Sequence, residues 1–293
     1  MSDPVGLGAV FLPQLPPERL REVAVAADRS GLDELWLWED CFFEGGVATA
    51  AAALAWTERV RVGVGLLPVP LRNVAAAAMD MAVLHRTFPG RAEVTVGHGV
   101  QAWMGQVGAR HASPLTLLEE HLGALRRLLA GEEVTTEGRY VRLDGVRLEW
   151  PPPAPVRVLA GAEGPKTLEL SGRAADGTLL VAGTTPDRLR QARERIDAGR
   201  EAAGRTDHHR VVVYLLTATG PDAADRLARS RTSWDLPDAE DVAVAGGAEQ
   251  VADAVRRLAD AGADVVVLQP TADDPDPAGF AAFAGEQVRP LLA

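Results

Sequence analysis

The stretch RVRVGVGLLPVPLRNVAAAAMDMAVLHRTF (Arg59–Phe88) joins a short valine- and leucine-rich run to a longer alanine-rich one. Its first part reads as a β-strand, and the part from Asn73 onward as an α-helix. Towards the N-terminus the same order occurs twice. VGLGAVFL (Val5–Leu12) precedes PPERLREVAVAADRSG, a helix opened by Pro17 and closed by Gly31, and LDELWLW precedes VATAAAALAWTE. Towards the C-terminus, RAEVTVGHG precedes PLTLLEEHLGALRRLLAG. Four consecutive strand–helix units predict parallel pairing, because neighbouring parallel strands need a crossover between them.

The rhythm then breaks. VTTEGRYVRLDGVRLEWPPP carries turn residues at Glu137–Gly138 and Asp144–Gly145 among alternating side chains, which predicts a small antiparallel insertion. After PPPAP the alternation resumes with VRVLAG and PKTLELSGRAA, then GTLLVAG and TPDRLRQARERIDAGREAAG. RVVVYLLTAT and DAADRLARSR follow, and after an irregular stretch come AEQVADAVRRLADAG, ADVVVLQP and the closing DPAGFAAFAGEQVRPLL. Eight strand–helix units in 293 residues predict an α/β fold. The expected form is a closed (β/α)8 TIM barrel with a small antiparallel insertion before the fifth strand, one domain over residues 1–293. An open doubly wound sheet of similar length is the alternative.

The net charge of −11 offers no electrostatic footprint for nucleic acid or an anionic membrane. Apolar stretches such as VATAAAALAW fall far short of the roughly 20 residues of a membrane span, and no secretion signal opens the chain. A single cysteine, Cys41, excludes an internal disulfide. No histidine–carboxylate cluster has metal-ligand spacing, so no metal is expected. A cytoplasmic protein is the expectation.

In such a barrel the site lies on the loops after the strands. The fifth of these, GAEGPK (Gly161, Ala162, Glu163, Gly164, Pro165, Lys166), holds the only lysine in a chain with 29 arginines. Proline suits the first helical position, and a helix start offers free N–H groups to an anion. Glycines let the backbone come close, and Lys166 adds a point charge. A phosphate clasp and an ordinary tight turn with a solvated lysine are the two readings, and Glu163 counts against the clasp. After the fourth strand, Gly97-His98-Gly99 leaves room for a flat ring, while a dinucleotide fingerprint there is weak because WMGQVGARHASP intervenes. His98 is a candidate proton donor or acceptor, or a structural loop tie. After the second strand, alternation points Trp36, Trp38 and Asp40 to one side and Glu39 to the other. Such carboxylates can act as a base, hydrogen-bond a heterocycle, or cap a helix.

Taken together, GLDELWLWED, RVRVGVGLLPVPLRN, FPGRAEVTVGHG and GAEGPKTLELSGRAADG resemble the bacterial-luciferase-like flavin oxidoreductases. The likeness is greatest to the branch using the deazaflavin coenzyme F420. The resemblance implies a cofactor at the C-terminal face of the barrel, F420 first and FMN as the alternative. It places the cofactor-touching acid at Glu39, a bulge with a non-prolyl cis peptide at Gly65–Leu66, and the phosphate loop at Gly161–Lys166. Two departures bear on the chemistry. Asp40 stands where many deazaflavin members have histidine, and Val100 where the sugar-phosphate dehydrogenases have glutamate. Asp40 and His98 are therefore the catalytic candidates, with Trp38, Gln101, Trp103 and Met104 expected to hold a small-molecule substrate over the ring.

The expected reaction is hydride transfer between cofactor and substrate. The alternatives are an FMN-dependent two-component monooxygenase served by a separate flavin or F420 reductase, and a non-catalytic cofactor-binding protein. The alanine-rich helices ATAAAALA and NVAAAAMDMA, with relatives that pair through barrel helices, lead to an expected homodimer.

Overall fold

A computed structural model describes residues 4–234, 236 and 241–293. Its first half runs β1 (Gly6–Phe11), α1 (Leu20–Arg29), β2 (Glu34–Leu37), α2 (Gly46–Trp56), β3 (Arg61–Pro68), α3 (Val74–Thr87) and β4 (Ala92–Gly97). Next come α4 (Gln101–Gln106), α5 (Pro114–Leu129), and an antiparallel hairpin of β5 (Val134–Glu137) and β6 (Arg142–Val146). The second half holds β7 (Val158–Gly161), α6 (Pro165–Ala174), β8 (Gly177–Leu180), α7 (Pro186–Ala202) and β9 (Arg210–Ala218). It ends with α8 (Ala223–Ser233), β10 (Ala243–Ala245), α9 (Ala248–Asp260), β11 (Val265–Pro270) and α10 (Pro277–Phe283).

Eight parallel strands pair in the order β9-β11-β1-β2-β3-β4-β7-β8, and pairing of β8 with β9 closes the ring. This is the (β/α)8 TIM barrel, with the hairpin inserted before β7, its fifth strand. The strands are buried almost throughout, as parallel strands under a coat of helices must be. Inside the ring, Val10, Trp36, Leu159, Leu179, Val212, Tyr214 and Val267 form a filled core. Trp36 lies so close to Gly63 that a β-carbon there would sit 2.5 Å from the indole, so this layer offsets one large ring with a missing side chain.

Three details depart from the sequence reading. Gln101–Gln106 is helical, where glycines and a proline had argued for a loop. It is too short to show a period, and Gly108 and Pro114 fall beyond it. Asp144–Gly145 is not a turn between strands but lies inside β6, where Gly145 takes a positive φ beside a register shift. The turn is at Gly138–Val141, and its N–H groups at Arg139, Tyr140 and Val141 all donate to the Glu120 carboxylate at 2.8–2.9 Å. Within the irregular stretch after α8, β10 pairs with Leu216–Ala218 beyond the end of β8. Residues 235 and 237–240 of that stretch lie outside the described residues.

The N-terminal end of the barrel is closed by charge. Glu34, 1% exposed, pairs with Arg210 and with Arg61 at 2.5 Å, and accepts a bond from Trp36 Nε1 at 2.9 Å. Glu93 adds Arg157 at 3.2 Å and Arg210 at 3.7 Å. These ion pairs fill this end, and a barrel of this kind carries its site at the opposite mouth.

Candidate active site

At the mouth the β3 bulge falls between Val64 and Leu67, and the Gly65–Leu66 peptide is cis, as is Cys41–Phe42. Leu66 lies across the ends of β4 and β7. Its side chain occupies the space that a β-carbon at Gly97 or Gly161 would need. Here the structure corrects the sequence reading: the room beside Gly97 belongs to Leu66 rather than to a ring. Gly99 likewise needs its lack of side chain for Pro68 and Met104, and holds φ +66°. The result is an apolar shelf made by the bulge itself. Tyr214 on β9 supports it from within the barrel, donating its hydroxyl to the Gly65 carbonyl at 3.3 Å. The Tyr214 ring packs on Trp38 at 5.5 Å and edge-on to Trp36 at 6.2 Å.

The β2 end carries two carboxylates with opposite fates. Glu39 is buried and turned outward, where Arg72 binds both its oxygens and Gly46 N–H donates to it at 2.7 Å. It caps the start of α2 and has little capacity left for a ligand. The carboxyl of Asp40, on the other side of the strand, makes no hydrogen bond or ion pair with any described residue. Burial raises its pKa from 3.8 to about 6, and its charge is felt at the Tyr214 hydroxyl inside the barrel. Glu44, further along the same loop, is raised by burial to about 7. Sequence reading did not single it out, because nothing in the string FFEGG marks a half-buried carboxyl.

On the β4 side, His98 Nε2 meets Thr167 Oγ1 at 3.2 Å and so ties this loop to the first turn of α6. Burial holds its pKa below the usual histidine range, opposed by the Pro114 carbonyl. Gln101 folds back, donating to the carbonyls of His98 and Gly99 at 3.2 and 3.3 Å. Met104 is fully buried beneath Gly99, which removes it from the substrate candidates, whereas Trp103 stays half-exposed.

Beside the mouth, where β7 and β8 end, opens a groove of about 520 Å³. Ala162, Glu163 and Pro165 line one wall, and Val181–Thr184 with Arg188 the other. Gly164 begins α6 without a side-chain cap; Pro165 has no N–H and those of Thr167 and Leu168 donate to the Gly164 carbonyl, which leaves the Lys166 N–H to an anion. Arg188 is exposed at the groove, and its guanidinium has no partner among the described residues. Lys166 is also exposed but does not line the groove; the cations that do are two arginines the sequence reading passed over, Arg188 and Arg195, the latter held by Glu169 at 3.2 Å, and Glu194 lines it as well. The proline-initiated helix at Thr185–Pro186, which repeats the Gly164–Pro165 arrangement one unit later, was the available signal. Glu163 stands at the solvent edge.

A filled parallel barrel with a bulged apolar shelf, an unpaired carboxyl and an anion-suited groove at one end defines a (β/α)8 protein with its site on the C-terminal face. The chain belongs to the luciferase-like monooxygenase family, whose model matches residues 5–265. It is 32% identical over 219 residues to the 5,10-methylenetetrahydromethanopterin reductase of Methanolobus tindarius, covering 74% of this chain and 66% of that relative. The F420-dependent glucose-6-phosphate dehydrogenase of Nakamurella multipartita is 26% identical, with 95% of this chain and 94% of the relative covered. An F420-dependent secondary alcohol dehydrogenase in complex with an F420-acetone adduct superimposes with a TM-score of 0.87 at 22% identity, over 99% of both chains.

Proposed function

We propose that the chain is an F420-dependent oxidoreductase that moves hydride between the deazaflavin ring and a small organic substrate. The observation that carries this is the shelf and the groove side by side: a flat apolar support for a ring, adjoining a cradle for its anionic tail. The fit rests on this chain's own atoms. Leu66 and the Gly65 peptide would carry the ring face, while the start of α6 and Arg188 would hold a phosphate.

The deazaflavin supplies the hydride chemistry. What the protein contributes is position and proton control. Tyr214 fixes the height of the shelf through the Gly65 carbonyl. Asp40, whose pKa burial alone raises to about 6, is the group that can release a proton to a substrate oxygen at the mouth. Glu39, already saturated by Arg72 and Gly46, keeps the β2 loop in place.

The test is a fluorescence titration of the purified protein with F420 and, separately, with FMN. F420 is expected to bind the tighter of the two, and exclusive FMN binding would redirect the reading to monooxygenation with a partner reductase. Arg188→Ala is expected to weaken F420 about tenfold, the low end for a charge-assisted contact at an exposed site. Unchanged affinity in that variant removes the groove from the cofactor site. Met79 and Val83, exposed on α3, are the surface on which we propose that a second copy pairs. Light scattering should then give a dimer that Met79→Glu dissociates.

A further inference from the structure

We infer that the substrate is neutral and aromatic, not a phosphorylated or otherwise anionic molecule. This rests on the reading of the mouth as the substrate end of a redox site. Its first support is the rim. Phe42 and Phe43, 63% and 56% exposed, lie two and three residues beyond Asp40 on the same loop. Trp234, 43% exposed at the end of α8, meets Trp38 edge-on at 6.0 Å and so brings α8 over the mouth. Val100 and Val181, both exposed, follow β4 and β8. Among the described residues, six of the eleven exposed large apolar side chains, these five and Val107, lie on segments that follow barrel strands. A patch of this kind at the open end of a barrel marks a ligand surface rather than scattered surface hydrophobes.

The second support is charge. An anionic substrate needs a free cation, and the described arginines near the mouth are already engaged. Arg72 is held by Glu39, Arg226 by Asp274 at 2.9 Å, and Arg229 by Asp273 at 2.7 Å. Arg110 donates to the Gln101 carbonyl, and Arg231 is also engaged. Arg188 and the exposed Lys166 remain, Arg188 facing the groove assigned to the cofactor tail and Lys166 in the first turn of α6 beside it. The titratable groups on the mouth loops include Asp40, Glu44 and His98, and neither carboxyl has an ion pair among the described residues. Unpaired carboxyls repel an anion and tolerate a neutral ring. Flat aromatic walls fit a flat aromatic guest, with offset or edge-on contacts to Trp234 and the two phenylalanines.

The test uses calorimetric titration of the protein, with and without bound F420, against 1-tetralone (a neutral bicyclic aromatic ketone) and glucose 6-phosphate. Saturable 1-tetralone binding is expected, at least tenfold tighter than the sugar phosphate. Trp234→Ala should weaken 1-tetralone by about tenfold, the loss of roughly half a buried aromatic side chain. Phe43→Ser, at an exposed position, provides a second variant that does not depend on the fold tolerating the first. Tighter binding of glucose 6-phosphate, or 1-tetralone binding that is absent or indifferent to both variants, overturns the inference. Failure of F420 to bind while 1-tetralone still binds at the rim would instead sink the proposed cofactor reading.

Discussion

Replacing Asp40 by asparagine is expected to lower the turnover of substrate reduction by about 100-fold, within the range for loss of a positioned proton donor. F420 affinity should stay within about twofold, because Asp40 is not among the groove's lining residues. The pH profile gives the more specific readout. With its pKa raised to about 6, Asp40 is protonated below that value and can serve as an acid there. kcat/KM for reduction should therefore fall as pH rises through about 6, and for the reverse oxidation it should rise over the same interval. In Asp40→Asn both limbs should disappear. If the variant keeps its rate and its limb near pH 6, Asp40 is not the proton donor, and Glu44, raised to about 7, becomes the group to replace.

The same substitution has an opposite effect on stability, and the sign follows from linkage. A carboxyl whose folded pKa is raised binds its proton more tightly in the folded chain than in the unfolded one. It therefore costs nothing below its ordinary value of 3.8, and its penalty grows up to about pH 6 and is full above that. Asp40→Asn should raise the thermal midpoint above pH 6 and leave it nearly unchanged at pH 4. A less active but more stable variant is the signature of a group kept for chemistry at the fold's expense.

How far the sequence discloses this site depends on which physical rule is asked. Alternation along β2 separated Trp36, Trp38 and Asp40 from Glu39, and the structure has them so, because period two is a local property of an extended chain. Strand–helix order disclosed the barrel for the same reason. Packing between segments was not legible. That Leu66 fills the space beside Gly97 and Gly161 depends on three strands meeting, and each glycine alone reads equally well as room for a ligand. Lys166 drew notice by rarity, yet Arg188, twenty-two residues on, lines the groove. Composition marks an unusual residue, whereas only the turn of α7 shows which side chain faces the cavity. Tyr214 lies in a run of valines and leucines, where its single polar atom was the one available hint that something at the mouth needed a donor.

Glu34→Gln tests how the closed end of the barrel supports the open one. The carboxylate is buried between Arg210, whose side chain is only 12% exposed, and Arg61. Removing its charge leaves a buried guanidinium short of its main partner. Breaking such a pair from one side costs about 3–5 kcal/mol, far more than the pair's net worth against an apolar replacement. For a chain of this size that corresponds to a fall in Tm of roughly 5–8 °C, measurable by calorimetry. Arg61→Gln should cost much less, because Arg61 is 37% exposed and water can replace it. A fall below about 2 °C in Glu34→Gln would mean that Glu93, 3.7 Å from Arg210, carries the arginine by itself. The consequence should also reach the mouth. Trp36 Nε1 donates to Glu34, the Trp36 ring packs edge-on against Tyr214, and Tyr214 holds the Gly65 carbonyl beneath the shelf. A glutamine can keep the Trp36 bond through its amide oxygen, whereas an alanine cannot. Glu34→Ala should therefore weaken F420 binding beyond what its lowered stability explains at 25 °C, and Glu34→Gln should not.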